Sequence, residues 1–399
     1  MCLIDRTTPG VSRHRHIRVG FDARWHNSSG VGTYVRELLV ALAKQAYAED
    51  TELIVYSSKP IPAFIWDLPY VSIRTVSTKK YSLSDQLSFA FLTMKDNLDL
   101  LHVPVYVAPV LAPIPVVVTM HDLETFLLPY TVHSRLARYA IRAMHHLAAR
   151  KAAAVIAVSR DTSKDIREYL RIPPHKEHIV LNAASDCFDL RPEDANAWLT
   201  ERCKLRLTKP YILAMVGKQV EKKNTLRVWH SIKLLREKGY DVALALVGDI
   251  KWTRDALPQL TAAERSGEVV TLGYVTDDTL RRLYHNSLLF LFPSLHEGFG
   301  LPILEAMRAG SVVVTSRRSA MPEVAGRAGV LVDPEDTAGL ASAMMDVVSW
   351  TEQTRAERIA IGQCHAKEFS WERTARETLA VYRTTARKQG ATTEARGTP

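Results

Sequence analysis

The sequence predicts an α/β protein built from two doubly wound parallel sheets, and three observations support this prediction. Short apolar runs alternate with amphipathic helical patterns along nearly the whole chain. The chain has 399 residues, more than one domain usually holds, and 47% of them are hydrophobic, enough for two cores. A polar stretch over residues 185–200 separates the runs into two blocks. Such alternation is typical of parallel sheets covered on both faces.

Each block contains five or more candidate strands. They are residues 17–21, 53–56, 115–119, 154–158 and 178–181 in the first block, and 211–216, 242–247, 269–272, 288–292, 312–315 and 330–332 in the second. We therefore predict two Rossmann-like domains, over residues 1–190 and 191–369, facing each other across a cleft beyond the carboxyl ends of their strands. A last helix over about 370–387 precedes a polar tail, 388–399, for which disorder is expected.

The formal charge of +9 and the pI near 9.3 raise the question of nucleic-acid binding. The excess charge is spread over both halves, and no aromatic residues are interleaved with basic ones as a nucleic-acid platform requires. We therefore expect no nucleic-acid partner.

Several features bear on the compartment. The four cysteines, Cys2, Cys187, Cys203 and Cys364, have no metal-type spacing and fit a reducing compartment. The N-terminus lacks the apolar core of a secretory signal. Residues 103–120 are apolar but include four prolines, which argues against a membrane-spanning helix. The expectation is a cytoplasmic protein, soluble or peripheral at the inner face of the membrane.

The stretch SLHEGFGLPILEAM, residues 294–307, is the most informative motif. A buried strand is predicted before it and a helix after it, with Pro302 at the first helical position and Gly310 at the stop. Glycines at a helix start let the backbone approach an anion such as phosphate. Glu297 and Glu305 have the wrong charge for phosphate but suit neighbouring hydroxyls, as in a nucleotide sugar. An ordinary turn with two solvated carboxylates is the alternative.

A second loop, GKQVEKKN at residues 217–224, follows another predicted strand. Its lysines could place cations where negative charge builds on a leaving diphosphate. A solvated basic loop is the alternative, and the spacing is not that of a Walker loop.

Two weaker motifs follow strands of the first block. His121 and Asp122 come directly after the strand at 115–119, where a histidine could bond a substrate hydroxyl or only local backbone groups. Gly30 and Gly32 open a helix, which fits tight packing equally well and makes nicotinamide binding a distant alternative. No D-x-D triplet is present, so we expect no dedicated metal site and no cofactor.

Together these motifs resemble retaining glycosyltransferases of family 4, which have the GT-B fold, over about residues 17–385. Glu297 and Glu305, with seven residues between them, match the E-x7-E motif of that family. The stretches GVGTYVRELL (30–39), VVVTMHDL (116–123), AVIAVSRDTSKDI (154–166) and LGYVTDDTLRRLY (272–284) are also similar to it. One departure is Lys218, where relatives often have arginine. It leaves open whether Lys218 or Lys222 takes the place of that arginine. A second is Ala183, where a linker glycine is frequent.

The resemblance implies a role for each candidate residue. Glu305 would hold the ribose, Glu297 and His121 the transferred sugar, and Tyr274 and Val275 the base. The diphosphate would lie against lysines and loop amides, which are Gly217, Lys218, Lys222, Lys223, Gly298, Phe299, Gly300 and Leu301. Gly30, Gly32 and Asp122 would lie on the acceptor side, and the final helix would return to the N-terminal domain. His121, Glu297 and Lys223 are the candidate catalytic residues.

The resemblance also implies a reaction: front-face transfer with retention, independent of metal. GDP-mannose is the leading donor, and a surface polysaccharide or glycolipid the leading acceptor. The alternatives are a UDP-sugar glucosyl- or N-acetylglucosaminyltransferase, a nucleotide-sugar epimerase, and a nucleotide-binding scaffold without chemistry.

Residues 131–154 form a predicted basic amphipathic helix. They carry five basic and no acidic side chains beside the apolar stripe Leu136, Tyr139, Ala143 and Leu147. Such a helix could lie on an anionic membrane or pack on the first sheet.

Overall fold

The computed structural model describes residues 16–28, 30–61, 68, 70–78, 80, 82–132, 134–189 and 209–396. The side chains of residues 388–396 are not described. Most of the predicted connector and the end of the predicted tail, residues 190–208 and 397–399, lie outside the described residues.

The first sheet has seven strands in the order β3-β2-β1-β4-β5-β6-β7. Its parallel registers place Val19 opposite both Leu53 and Leu100, and Val118 opposite Val103. The strands are β1 (Ile17–Asp22), β2 (Thr51–Ser57), β3 (Val71–Thr75), β4 (Leu100–Val103), β5 (Val116–Met120), β6 (Ala154–Ala157) and β7 (Glu177–Ile179).

The second sheet has six parallel strands in the order β10-β9-β8-β11-β12-β13. They are β8 (Tyr211–Val216), β9 (Ala243–Gly248), β10 (Val269–Gly273), β11 (Leu289–Phe292), β12 (Val313–Ser316) and β13 (Val330–Val332). In both sheets the chain starts in the middle, adds strands to one side and then crosses to the other. This is the doubly wound order of Rossmann folds, so the predicted fold class is confirmed.

Helices connect the strands throughout the described residues. They are α1 (Gly30–Ala46), α2 (Leu83–Lys95), α3 (Glu124–Leu127), α4 (Arg135–Lys151), α5 (Arg160–Asp165, continued by a π-helical turn at Ile166–Leu170), α6 (Thr225–Glu237), α7 (Ile250–Ala256), α8 (Leu260–Arg265), α9 (Asp277–Asn286), α10 (Leu301–Arg308), α11 (Met321–Ala325), α12 (Thr337–Val348), α13 (Glu352–Ala366) and α14 (Trp371–Arg396). None of those described is both long and apolar enough to cross a membrane.

Two strands were not predicted. β3 lies at the sheet edge and is half polar and partly exposed, so it lacks the apolar run of a buried strand. β4 is short and contains His102, which is fully buried and bonds the Tyr382 hydroxyl at 2.6 Å. Because the histidine interrupts an already short apolar run, the apolar pattern did not indicate this central strand.

The final helix is longer than predicted. α14 continues past residue 387 to Arg396, so residues 388–396 of the predicted disordered tail form helical backbone. The local sequence is rich in alanine, arginine and other good helix formers, which favours this extension.

The described residues form two compact units. The first lies within residues 1–118, 151–154 and 375–399, and the second within residues 119–150 and 155–374. The core of the second unit consists of fully buried strand residues such as Ile212 and Leu291, against which α6 packs Ile232 and Leu235. Each such side chain contributes roughly 1.5–3 kcal/mol on burial, which holds the loops at the strand ends in place.

Candidate functional site

The loop between β11 and α10 carries the strongest sequence motif. Gly300 has φ +96°, a left-handed conformation that favours glycine, and α10 begins at the next residue. Pro302 is therefore the second helical residue, not the first as predicted. The predicted stop is confirmed: Gly310 has φ +84° and donates to the Met307 carbonyl, while Ser311 donates to Ala306. These two bonds form a Schellman motif.

Gly298 is packed directly against the segment that follows β5. A Cβ atom added at Gly298 would lie 1.6 Å from the His121 carbonyl oxygen. The Gly298 carbonyl accepts hydrogen bonds from the hydroxyls of Ser159, at 2.6 Å, and Thr162, at 3.0 Å. Glycine is thus required here by close approach of two backbones, and the loop is fixed relative to His121.

Glu297 is held by lysine. The Lys223 ammonium donates to Glu297 Oε1 at 2.8 Å, and the Lys222 ammonium lies 4.0 Å from Oε2. Burial raises the pKa of Glu297, but the charges of Lys223 and Lys222 lower it by more. Glu297 is therefore ionised at neutral pH and accepts hydrogen bonds. Its backbone is also fixed, because the Ser319 hydroxyl donates to its carbonyl at 2.7 Å.

Lys222 is the most buried lysine of the loop at residues 217–224, with 5% of its surface exposed. Its ammonium donates to Glu124 at 2.7 Å and to Asp122 at 3.3 Å. Burial by itself lowers the pKa of Lys222, but the nearby carboxylates, Asp122 foremost, raise it above its ordinary value. Burial likewise raises the pKa of Asp122, and Lys222 brings it down to about 2. Lys222 and Asp122 are therefore both charged at neutral pH.

The other lysines of this loop are more accessible. Lys218 is exposed, and the Lys223 side chain is 22% exposed and lies 4.7 Å from the centre of the Phe292 ring. Gly217 leaves open space where a Cβ would lie. The predicted residues His121, Asp122, Lys222, Lys223, Glu297 and Gly298 are therefore brought together by contacts within the second unit.

The remaining donor-side candidates lie around α10 and β10. Glu305 accepts a hydrogen bond from Tyr284 at 3.3 Å. Phe299 is buried and packs edge-on against Phe369, so only its backbone can face a ligand. Tyr274 is 76% exposed directly after β10, and Val275 beside it is half-buried.

The two glycines that were predicted for the acceptor side, Gly30 and Gly32, belong to the first unit. Gly30 is exposed, and a Cβ added there would meet no atom within 4 Å, whereas a Cβ at Gly32 would lie 2.7 Å from the His26 carbonyl oxygen. Gly32 therefore has the packing role that the sequence left open as an alternative.

Sequence reasoning missed three residues of the site. Glu124 pairs with Lys222 and also accepts from the Gln219 side chain. Tyr284 positions Glu305, and Ser319, with φ +55°, bonds the backbone of Glu297. The sequence pointed to Glu124 only through its position, two residues after Asp122 at the end of a strand. An acidic residue is also common in the first turn of any helix, so this position did not identify a site residue.

A three-residue group lies beside the loop. Asp161, Asp165 and His296 each place one potential ligand atom within 4.8 Å of the others. The Asp165 and His296 atoms are 3.9 Å apart, whereas ligand atoms bound to one zinc ion lie about 3.4 Å apart. The Asp161 carboxylate lies 2.8 Å from the Ser319 hydroxyl. Burial and Asp161 raise the pKa of Asp165 to about 7. The group is more open than a formed zinc site.

Comparisons with known proteins place this site in context. A family model described as "Glycosyl transferases group 1" matches residues 210–349, and one described as "Glycosyltransferase Family 4" matches residues 28–185. The chain is 31% identical over 272 residues to O-antigen chain mannosyltransferase B of Escherichia coli, covering 67% of this chain and 70% of that protein. It is 30% identical over 232 residues to the serotype-specific mannosyltransferase WbdA of Escherichia coli, covering 56% of this chain and 28% of that protein.

Solved structures show the same fold at lower identity. A glycosyltransferase from Rickettsia africae matches with a TM-score of 0.71 and 16% identity, covering 93% of this chain and 99% of that one. Anabaena HepE in complex with UDP and glucose matches with a TM-score of 0.66 and 18% identity, covering 94% of this chain and all of the other.

Proposed function

The chain belongs to glycosyltransferase family 4, with the GT-B fold, and we propose that it transfers mannose from GDP-mannose to a hydroxyl of a glycan or lipid-linked acceptor. The observation that carries the proposal is the arrangement of Glu297, an ionised carboxylate held by Lys223 beside a glycine loop at a helix start. A nucleotide sugar carries hydroxyls beside a diphosphate. It is therefore bound by a carboxylate, which accepts from the hydroxyls, next to cations and backbone amides, which bind the phosphates.

In this proposal Lys223 and Lys218 neutralise the diphosphate, together with the amides of residues 298–301. Glu297 accepts hydrogen bonds from the hydroxyls of the transferred sugar. Glu305, oriented by Tyr284 at 3.3 Å, accepts from the ribose hydroxyls. The exposed ring of Tyr274 is available to the base.

We further propose that transfer proceeds with retention by substitution on the front face. Both motif glutamates have donor-binding roles, which leaves neither as a nucleophile. The departing diphosphate would take the proton of the acceptor hydroxyl as the glycosidic bond breaks, through an oxocarbenium-like state. Lysine charge at the leaving group makes a divalent metal unnecessary, so we expect activity to persist in EDTA.

Mannose is favoured as the transferred sugar because O-antigen chain mannosyltransferase B matches at 31% identity over 67% of this chain, and the mannosyltransferase WbdA matches at 30% identity. Anabaena HepE was solved with UDP and glucose, so a UDP-sugar donor is the competing proposal. A thermal-shift panel of GDP-mannose, UDP-glucose, UDP-N-acetylglucosamine and the free nucleotides separates them, since a ligand of the native state raises its melting temperature. Selective stabilisation by a UDP sugar would overturn the GDP-mannose assignment.

The test of the site is Lys223→Met. Loss of one preorganised charge at the leaving group lowers turnover by about 10²–10³-fold. The matched control is Lys233→Met, an exposed lysine on α6, for which turnover is unchanged. Near-normal turnover by a folded Lys223→Met protein would contradict the proposed role.

The alternative functions, an epimerase and a nucleotide-binding scaffold, can be distinguished from a transferase by the products that form. An epimerase converts the donor without an acceptor, whereas a transferase releases the nucleotide and extends the acceptor. Mass spectrometry of the donor incubated with and without acceptor glycans distinguishes them. Nucleotide binding without transfer and without slow donor hydrolysis would favour a scaffold.

We also propose that α4 contacts an anionic membrane at its cytoplasmic face. Leu136, Tyr139 and Leu147 are 80%, 70% and 51% exposed. The opposite side of the helix packs on the protein, since His145, Ala148 and Ala149 are buried. An exposed apolar stripe flanked by arginines matches the interface of an anionic bilayer.

Co-sedimentation with vesicles tests this contact. The protein should pellet with phosphatidylglycerol vesicles and not with phosphatidylcholine vesicles. Leu136→Glu combined with Tyr139→Glu should abolish pelleting, whereas Leu226→Glu, at a 41% exposed site on α6, should not. Absence of binding to anionic vesicles would end the membrane proposal without affecting the transferase assignment.

A further inference from the structure

Lys222 is surrounded by carboxylates. We propose that Lys222, held by Glu124, is a positioning residue that orients Glu297 and Asp122 and does not bind the donor diphosphate. This inference rests on the proposed transferase function, and it assigns Glu124 a role that no motif of the sequence predicts.

The first argument is that carboxylates enclose the ammonium group. A lysine has three N–H donors. The ammonium of Lys222 donates two hydrogen bonds, to Glu124 at 2.7 Å and to Asp122 at 3.3 Å. Glu297 lies 4.0 Å away, a distance of electrostatic attraction without a hydrogen bond. Only 6% of the side chain is exposed. A diphosphate would have to displace a carboxylate from a buried position to reach this nitrogen.

The second argument is charge. Lys222 and Lys223 face Asp122, Glu124 and Glu297, so the carboxylates outnumber the ammonium groups. Without Lys222, three negative charges would lie together beside the expected diphosphate. Lys222 therefore offsets part of this negative charge, so that an anion can bind beside the cluster, while two of its three donors bond Asp122 and Glu124.

The third argument is connectivity. Glu124 also accepts from the Gln219 side chain, and the Lys222 carbonyl accepts from the Leu295 amide at 2.8 Å. Glu124 and Lys222 thereby join the lysine loop to the segment after β5 and to the strand end that carries Glu297. Lys218 is exposed at the start of the same loop, where its ammonium can reach a ligand.

The test compares nucleoside-diphosphate affinity with turnover in Lys222→Met, Glu124→Gln and Lys218→Met. For Lys222→Met and Glu124→Gln we expect kcat to fall by about 100-fold, since misplaced catalytic groups cost this much. Their Kd for the nucleoside diphosphate, measured by calorimetry, should stay within about threefold of wild type. For Lys218→Met, loss of a charged hydrogen bond should raise Kd about tenfold or more.

A direct diphosphate role gives a different pattern. Lys222→Met would then weaken nucleoside-diphosphate binding as much as Lys218→Met does, and Glu124→Gln, by freeing the lysine, would leave turnover intact or strengthen binding. Either result overturns the proposal. Should Lys222→Met fail to fold, the isosteric Glu124→Gln decides by itself.

Two further readouts exclude a merely structural role. Removing the Lys222 charge raises the pKa of Asp122 and Glu297, so the acid limb of the kcat profile should move to higher pH in Lys222→Met. The double variant with Glu124→Gln should lose no more turnover than Lys222→Met, because the two act as a unit. An unmoved acid limb, or additive losses, contradicts the proposal. Failure of wild type to bind any nucleoside diphosphate would instead overturn the proposed function itself.

Discussion

Two buried clusters of a cation and carboxylates invite comparison, one in each compact unit. In the first unit Arg24 lies between Asp22 and Asp85, with guanidinium–carboxylate distances of 2.8 and 2.5 Å. All three side chains are at most 6% exposed. In the second unit Lys222 lies among Asp122, Glu124 and Glu297, whose side chains are 13–29% exposed.

The two cations bind their partners differently. Arg24 donates to both oxygens of Asp22 and both of Asp85, as a planar guanidinium can. Burial lowers the pKa of Arg24, but Asp22 and Asp85 raise it by more. Lys222 is a point charge that attracts several oxygens at unequal distances.

This difference separates a structural cluster from one suited to chemistry. The carboxylates of the arginine cluster are closed off and fully bonded. Those of the lysine cluster remain partly exposed, so a lone pair that no donor of the protein occupies can accept a hydrogen bond from a ligand. A buried charge by itself therefore does not indicate a functional site. A functional site also needs oxygen lone pairs beside that charge that a ligand can reach.

The largest expected effect is that of Arg24→Met, which tests the structural side of the comparison. It removes the cation that bonds both buried carboxylates, Asp22 and Asp85, which costs about 3–5 kcal/mol of unfolding free energy. Urea denaturation at neutral pH measures the loss. Arg254→Met, which breaks the surface pair with Glu264, is the control and should cost about 0–1 kcal/mol. If Arg24→Met lost no more unfolding free energy than the Arg254→Met control, the arginine cluster would not stabilise the fold.

Next in size is Gly298→Ala, which tests whether the lysine cluster depends on close backbone packing. The new Cβ would overlap the His121 carbonyl, so the loop must move, at a cost of about 1–3 kcal/mol. Displacement of Glu297 should reduce turnover by about 100-fold. Gly362→Ala, on α13, is the control: its Cβ would lie 3.4 Å from the nearest atom, an ordinary contact, so neither stability nor turnover should fall. Equal behaviour of the two variants in thermal melts and turnover assays would refute the packing argument.

The smallest effect concerns acid stability and sharpens the comparison through Asp122. Its pKa is lowered from 3.8 to about 2 in the folded protein. A depressed carboxyl pKa stabilises the folded state above the unfolded pKa, and this stability disappears as the pH falls through the folded value. The contribution is about 2 kcal/mol, lost between about pH 4 and 2.

Urea titrations at pH 5 and at pH 2 measure this effect. Wild type should lose about 2 kcal/mol more than Asp122→Asn over this range, because asparagine does not titrate. An equal loss in both proteins would show that Lys222 does not perturb Asp122.

Much of the fold could be predicted from local patterns. Buried parallel strands such as β8 and β11 are apolar along their whole length. Gly300 and Gly310 have positive φ, which favours glycine, so they indicated where α10 starts and ends. The edge strand β3 and the histidine-bearing β4 escaped prediction because neither has such a run.

The candidate site was predictable only in part. The sequence by itself determined the two glutamates, the lysine loop and the glycines between strand and helix, because each depends on its immediate neighbours. Only the tertiary structure decided which lysine is enclosed and that Glu124 encloses it. Residues 124 and 222 are far apart in the chain, and pairing of buried charges depends on distances in space that no local pattern contains.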